Sequence, residues 1–201
     1  MNFCRLAIVL CLLLGFAATA GAVEEGMLAL APEAGYGVMT GKLGDMVAGD
    51  IIYGASMSYG VIDWLGVTGS ILYGSHQQSD EDNTGEIELD HFVGGLGPRF
   101  NYNSRLVVPY AGLLGAMSFM KYKSKWSAGA KTLEDSEDAH GYGGLAELGI
   151  DFYLHDLFTL GLCGRGGYFI SNLEFTHQDA RGEEAGGYAY FAGTVRLSVI
   201  F

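Results

Sequence analysis

From residue 28 onward the chain alternates apolar with small or polar residues at period two, in segments divided by polar stretches. The segments are LALAPEAGYGVM (28–39), IIYGASMSYGVI (51–62), LGVTGSILYGSH (65–76) and HFVGGLGPRFNY (91–102). They continue as LVVPYAGLLGAMSFMKY (106–122), HGYGGLAELGIDFYL (140–154), FTLGLCGRGGYFIS (158–171) and GYAYFAGTVRLSVIF (187–201). Period two sends successive side chains to opposite faces of a strand. The last segment shows this at the chain end itself. Phe191, Gly193, Val195, Leu197, Val199 and Phe201 share one face, and Ala192, Thr194, Arg196, Ser198 and Ile200 share the other. All eight segments reach or exceed the length a tilted strand needs to cross a bilayer, about 9–11 residues.

The connections alternate in length. Ile62-Asp63-Trp64, Asn103-Ser104-Arg105 and His155-Asp156-Leu157 read as tight turns, whereas the connections near 40–50, 77–90, 123–139 and 172–186 read as long polar loops. Short turns on one rim and long loops on the other are the signature of an outer-membrane barrel. An even strand count puts both termini on the short-turn rim, where the last strand closes against the first and removes the exposed edges. The pattern therefore predicts an all-β chain forming an eight-stranded antiparallel up-and-down transmembrane β-barrel.

Alternation alone also suits a soluble, lipocalin-like barrel with the faces reversed. Two features decide for the membrane. The inner face is repeatedly Gly, Ser, Ala or a charge, too small and polar for a dry core. Aromatics gather near the strand ends on the apolar parity, as an interfacial girdle requires: Tyr36, Tyr53, Tyr59, Tyr73, Tyr102, Tyr110, Phe152, Phe158, Tyr168 and Phe201.

The start of the chain supplies a compartment. A short basic region ending at Arg5, the apolar run LAIVLCLLLGFAATA and a small-residue cleavage site fit a secretory signal peptide over residues 1–22, with the barrel over 23–201. Cys4 and Cys11 leave with the signal, so Cys163 has no disulfide partner in the mature chain. A formal net charge of −12 argues against a nucleic-acid partner.

These segments, the signal and the terminal GTVRLSVIF resemble the small outer-membrane β-barrel superfamily that includes the OmpA transmembrane domain, OmpX and the opacity proteins. The likeness is architectural and covers nearly the whole mature chain. It implies that Phe201 is an assembly signal read by the barrel-assembly machinery, and that the protein sits among outer-membrane lipid and lipopolysaccharide.

Counting back from the His155-Asp156-Leu157 turn, with 154 opposite 158, sets Glu147 opposite Arg165 as a cross-strand ion pair. Glu33, Arg99, Asp151 and Arg196 share the inner parity, so acids and bases inside the barrel roughly balance. Each would cost several kcal/mol in hydrocarbon, and the lumen is where such residues belong. An eight-stranded barrel is just wide enough to be filled by side chains, so a plug is expected here and a wide pore is not.

No cofactor or metal is expected. Asp80, Asp82, Thr84, Gly85, Glu86, Ile87 and Glu88 echo an EF-hand loop, but its twelfth position is His91 and strands flank it. His76 and His91 take inner parity beside Asp90 and read as solvated rim histidines, two being too few for a ligand set. Cys163 points inward as a lumen filler. Three function classes remain: a non-enzymatic envelope or surface-interaction barrel using long acidic loops toward an extracellular partner, a small porin-like channel, or a lipid-modifying enzyme. The last needs a convergent nucleophile and base, for which Ser75, His76 and Ser79 are the available parts.

Overall fold

The computed structural model describes residues 25–41, 49–79, 85–102, 106–128, 131–171, 174–177, 180–184 and 187–201. Residues 1–24, which carry the expected signal peptide, and the Asn103-Ser104-Arg105 turn lie outside the described residues. The strands are β1 Leu28–Thr40, β2 Asp50–Ile62, β3 Leu65–Ser79, β4 Gly85–Asn101, β5 Val107–Ala128, β6 Lys131–His155, β7 Phe158–Ser171, β8 Glu174–His177, β9 Ala180–Glu184 and β10 Tyr188–Ile200. Eight of them form a closed antiparallel barrel in the order β1-β10-β7-β6-β5-β4-β3-β2, and β8 and β9 pair separately as a hairpin.

Closure is made by β1 against β10, from Ala29 opposite Ile200 up to Thr40 opposite Ala189. The ladder runs to the last residue. The Leu28 amide donates to the Phe201 carbonyl at 3.1 Å, and the Phe201 amide donates to the Leu28 carbonyl at 2.8 Å. Phe201 itself points outward and is 69% exposed.

The pleat divides the residues into two chemically distinct sets. On β10 the residues from Tyr190 to Ser198 alternate buried and exposed, with Thr194 and Arg196 inside and Val195 and Leu197 outside. Outward residues are apolar or glycine from Phe92 to Phe100 on β4, from Pro109 to Phe119 on β5 and from Tyr142 to Phe152 on β6. Aromatic rings mark both borders of this band. Trp64 stacks on Phe100 (6.2 Å between ring centroids) at the short-turn rim, and Tyr53 and Tyr73 (5.7 Å), with Phe92 and Phe119 (6.4 Å), stand at the other.

Two expectations from the sequence are corrected. The stretches 77–90 and 123–139 are largely strand, because β3 continues to Ser79, β4 begins at Gly85, and β5 and β6 pair as far as Ala128 opposite Lys131. Four neighbouring strands therefore project beyond the barrel as a continuous sheet. Tyr110 is not a girdle residue; it lies in the lumen, 4% exposed, beside inward Val108. The remaining expected girdle residues that are described keep outward positions.

The lumen is also not uniformly small and polar. Ile52, Leu72, Leu89, Val93, Leu114, Leu145, Phe169, Tyr188 and Tyr190 form an apolar and aromatic layer toward the projecting sheet. Ala29, Val108, Tyr153 and Ile200 form a smaller apolar cluster at the short-turn end. The inward charges lie between these layers.

Candidate functional site

The inward charges occupy one contiguous zone because register brings them there from five strands. Glu33 is opposite Arg196 across the β1–β10 seam, and Glu147 is opposite Arg165 across β6–β7. The main ladder thus has the register counted from the turn, while a bulge between Tyr153 and His155 makes His155 the partner of Phe158.

Two triads result. In the first, Arg165 Nη1 donates to Glu33 Oε2 at 2.7 Å and its Nε donates to Glu147 Oε2 at 3.4 Å, while the Thr194 hydroxyl donates to Glu33 Oε2 at 2.8 Å. Glu33, two strands away on the far side of β10, is therefore the closer partner of Arg165. In the second, Asp151 accepts from Arg99 Nη2 at 2.5 Å and from Arg196 at 2.6–3.0 Å through Nε and Nη2. Arg99 Nε also donates to Asn101 Oδ1 at 2.8 Å. The Tyr110 ring sits against both guanidinium groups, 3.6 Å from Arg99 Cζ and 4.5 Å from Arg196 Cζ. That is cation–π geometry, which strengthens when water is excluded.

Formal charges balance over the whole set, one triad carrying an extra acid and the other an extra base. Placing the triads side by side cancels the residual charges, the condition under which buried ions are tolerated. Small residues opposite the long side chains create the space. A Cβ on Gly112 would lie 2.7 Å from Glu147 Cγ, and one on Gly161 would lie 2.7 Å from Arg196 Cγ and clash with Asp151 Oδ1. An enclosed cavity of about 10 Å³ beside Arg99, Asp151 and Arg196 has room for about one water.

Above the triads, His91 Nε2 lies 2.9 Å from the Tyr188 hydroxyl and its ring meets Tyr190 edge-on at 5.2 Å between centroids. Phe169 stacks on Tyr188 at 5.3 Å. His76 and His91 are buried, with ring centroids 6.4 Å apart, and are not the solvated rim histidines the sequence implied. The signal was present in GYAYFAG, where Tyr188 and Tyr190 share the parity of Thr194 and Arg196 and therefore fill the lumen over the histidines.

The other candidates fall apart in space. Ser75 and His76 are consecutive on β3 and face opposite sides of the wall, so they do not converge. The Ser79 side chain and most of the EF-hand echo lie outside the described residues, and Glu88 belongs to strand β4. Among the described residues no group of three or more histidine, cysteine or acidic side chains is placed to hold a metal ion. Cys163 is buried and points into the lumen.

Where the outward apolar band ends at Phe92, Phe119 and Tyr142, charges begin. Register aligns Asp90, Lys121 and Asp138 in one row across β4–β6, and Glu88, Lys123 and Ser136 in the next. Lys123 donates to Glu88 at 3.2 Å and to Asp90 at 3.5 Å, and the Tyr73 hydroxyl donates to Asp90 Oδ1 at 2.8 Å. Partial burial opposes ionisation of Asp90, but the hydrogen bonds from Tyr73 and Ser75 and the charge of Lys123 together hold its carboxyl below the usual carboxylate value.

The triad geometry makes a quantitative expectation. Glu147→Gln leaves Arg165 its closer charged partner Glu33, so it should cost less than Glu33→Gln, which neutralises the acceptor that lies 2.7 Å from Arg165 Nη1 and is shared with the Thr194 hydroxyl. Complete loss of a buried partner costs about 3–5 kcal/mol, and Glu33→Gln should approach that range in urea unfolding from detergent micelles. Glu147→Gln combined with Arg165→Met should be less destabilised than the sum of the single changes, and additivity would contradict the pairing.

The chain matches the outer membrane protein beta-barrel domain family over residues 7–195. No curated protein sequence matches it. Among solved structures it resembles Ail, the attachment invasion locus protein of Yersinia pestis, at 13% identity and TM-score 0.55, covering 88% of this chain and 99% of that one. OprG of Pseudomonas aeruginosa is similar at 12% identity and TM-score 0.54, covering 89% and 98%. Neisserial surface protein A is similar at 13% and 0.53, covering 90% and 98%. At these identities the structures establish the shared fold alone. The family match over most of the chain, with the closed barrel and its outward apolar band, makes this protein a member of the outer-membrane β-barrel family.

Proposed function

We propose that the protein is a non-enzymatic surface barrel of the bacterial outer membrane, delivered there after removal of residues 1–22, and that it acts through the sheet formed by β3–β6 where they project into the exterior. The observation that carries this reading is the contrast between the two ends of the molecule. The lumen is occupied by paired charges and aromatic rings, whereas the ladder between β5 and β6 continues to Ala128 opposite Lys131, well beyond the apolar band. A filled lumen supports a scaffold over a conduit.

The projecting part also has the chemistry of a recognition surface. Backbone pairing of β6 with β7 begins at Gly141 opposite Ser171, and the stretch 131–140, KTLEDSEDAH, pairs with β5 on its other edge. An edge strand offers backbone donors and acceptors to an extended partner. Its acidic composition favours a basic one.

Planar-bilayer recording separates this reading from the porin-like channel. The reconstituted protein should pass little or no steady current, and large reproducible steps would favour the channel.

Assembly makes a second expectation. Phe201 ends the closing ladder and contributes outward apolar surface, so Phe201→Ala should cost about 1–3 kcal/mol through lost burial. If it is also read by the barrel-assembly machinery, its outer-membrane yield in cells should fall far more than that of Val199→Ala, while both refold similarly from urea into detergent. Equal yields would leave Phe201 as an ordinary rim residue.

A further inference from the structure

We infer that the short-turn end of the lumen binds one small monovalent anion of chloride size, held between the Arg99 and Arg196 guanidinium groups and a set of buried hydroxyls. The site goes beyond the surface role proposed above and shares no residue with the projecting part of the sheet.

The enclosed cavity of about 10 Å³ lies on the short-turn side of the charge layer. Register sets the levels along β10: Ser198 is opposite Thr159, Arg196 is opposite Gly161, and Arg165 is reached only at Ala192. The cavity therefore touches the triad with the extra base, Arg99, Asp151 and Arg196, and none of its lining comes from Glu33, Glu147 or Arg165. Toward the short turns, Ala29, Val108, Tyr153 and Ile200 close the lumen with apolar surface. The volume suits a single-atom ligand and excludes carboxylates and phosphates.

Two guanidinium groups share one carboxylate here. Asp151 accepts from Arg99 Nη2 and Arg196 Nη2 at Oδ2, and from Arg196 Nε and Nη2 at Oδ1, so both its oxygens are taken by the arginines. Arg99 Nη1 reaches the Ser58 hydroxyl only at 3.4 Å, and Arg196 keeps Nη1 beyond its bonds to Asp151. The hydroxyls of Ser56, Thr159 and Ser198 line the cavity, are buried, and make no hydrogen bond among the described residues. Buried donors without acceptors are costly, and so is a guanidinium whose charge is only half matched. A water in the cavity would have two hydrogens of its own to place, and Asp151, the one strong acceptor, is already taken. An anion has none to place; it accepts from the hydroxyls and guanidinium groups together and matches the second arginine where it stands.

The test compares urea unfolding of the full-length barrel, refolded into zwitterionic micelles in sodium chloride or in sodium gluconate at equal ionic strength, and locates the ion by anomalous diffraction from crystals grown in bromide. A ligand of the folded state alone lowers the unfolding equilibrium constant in proportion to its concentration over Kd, so chloride at about ten times its Kd should lower that constant about tenfold relative to gluconate, which is too large for the cavity. Thr159→Val combined with Ser198→Ala should remove most of this chloride dependence. Thr194→Val, which loses a hydroxyl that serves Glu33 outside the cavity, should change the stability and keep the dependence. Bromide should give one lumen peak, between the Arg99 and Arg196 guanidinium groups. Equal unfolding constants in the two salts overturn the inference, and so does chloride dependence that the double variant retains in full. A bromide peak without chloride dependence is binding at crystal concentration only and overturns it as well. If the double variant does not refold, chloride dependence of the wild type together with the bromide peak sustains the inference, and a missing peak overturns it.

Discussion

The seam between β1 and β10 is the constraint from which the rest follows. A barrel wall in hydrocarbon has no water to satisfy its backbone, so every amide and carbonyl must find a partner in the next strand, and the first strand must find the last. Here the seam uses the chain end itself, through the paired amides and carbonyls of Leu28 and Phe201. Once the seam's register is set, Glu33 lies opposite Arg196, and the pleat sends both inward. A shift of one residue would turn both toward lipid, at a cost of several kcal/mol for the arginine at the bilayer midplane. The lumen charges and the closure thus specify one another.

That coupling explains the composition of the interior. Three arginines and three acids are drawn from β1, β4, β6, β7 and β10, so the network ties non-adjacent walls together as well as neighbouring strands. Buried ion pairs are weak evidence for net stability, since desolvation offsets much of their attraction. Their effect here is on uniqueness: each mispaired register leaves a guanidinium without its carboxylate. Gly112 and Gly161 belong to the same device, because any side chain there would occupy the space of Glu147, Asp151 or Arg196.

Much of this was legible before the fold was known, and the failures have physical causes. The period-two signal is strong wherever one face meets lipid and the other does not, which is why the eight barrel segments, the outward face of β10 and the Glu147–Arg165 register could be read directly. Beyond the band both faces are wet, polarity contrast vanishes, and strands such as LEDSED read as loop although their backbone remains paired with β5. The sequence alone points Tyr110 outward because β5 is apolar on both parities, with Val108, Leu114 and Met120 inside and Leu113, Met117 and Phe119 outside. The row of Asp90, Lys121 and Asp138 was invisible in sequence because its members come from three strands and meet only through register.

The central claim is that the arginines of the lumen are paired and shut away from solvent. Solvent exchange of the Arg165 and Arg196 Nε–H groups, followed by nitrogen-15 nuclear magnetic resonance of the barrel in detergent, measures this directly. Each donates from Nε to a buried carboxylate, Arg165 to Glu147 and Arg196 to Asp151. The structure predicts resolved Nε–H signals that persist at neutral pH and exchange slowly with water. Rapid exchange, at the rate of an arginine on the protein surface, would mean that water reaches the network and that the lumen is open.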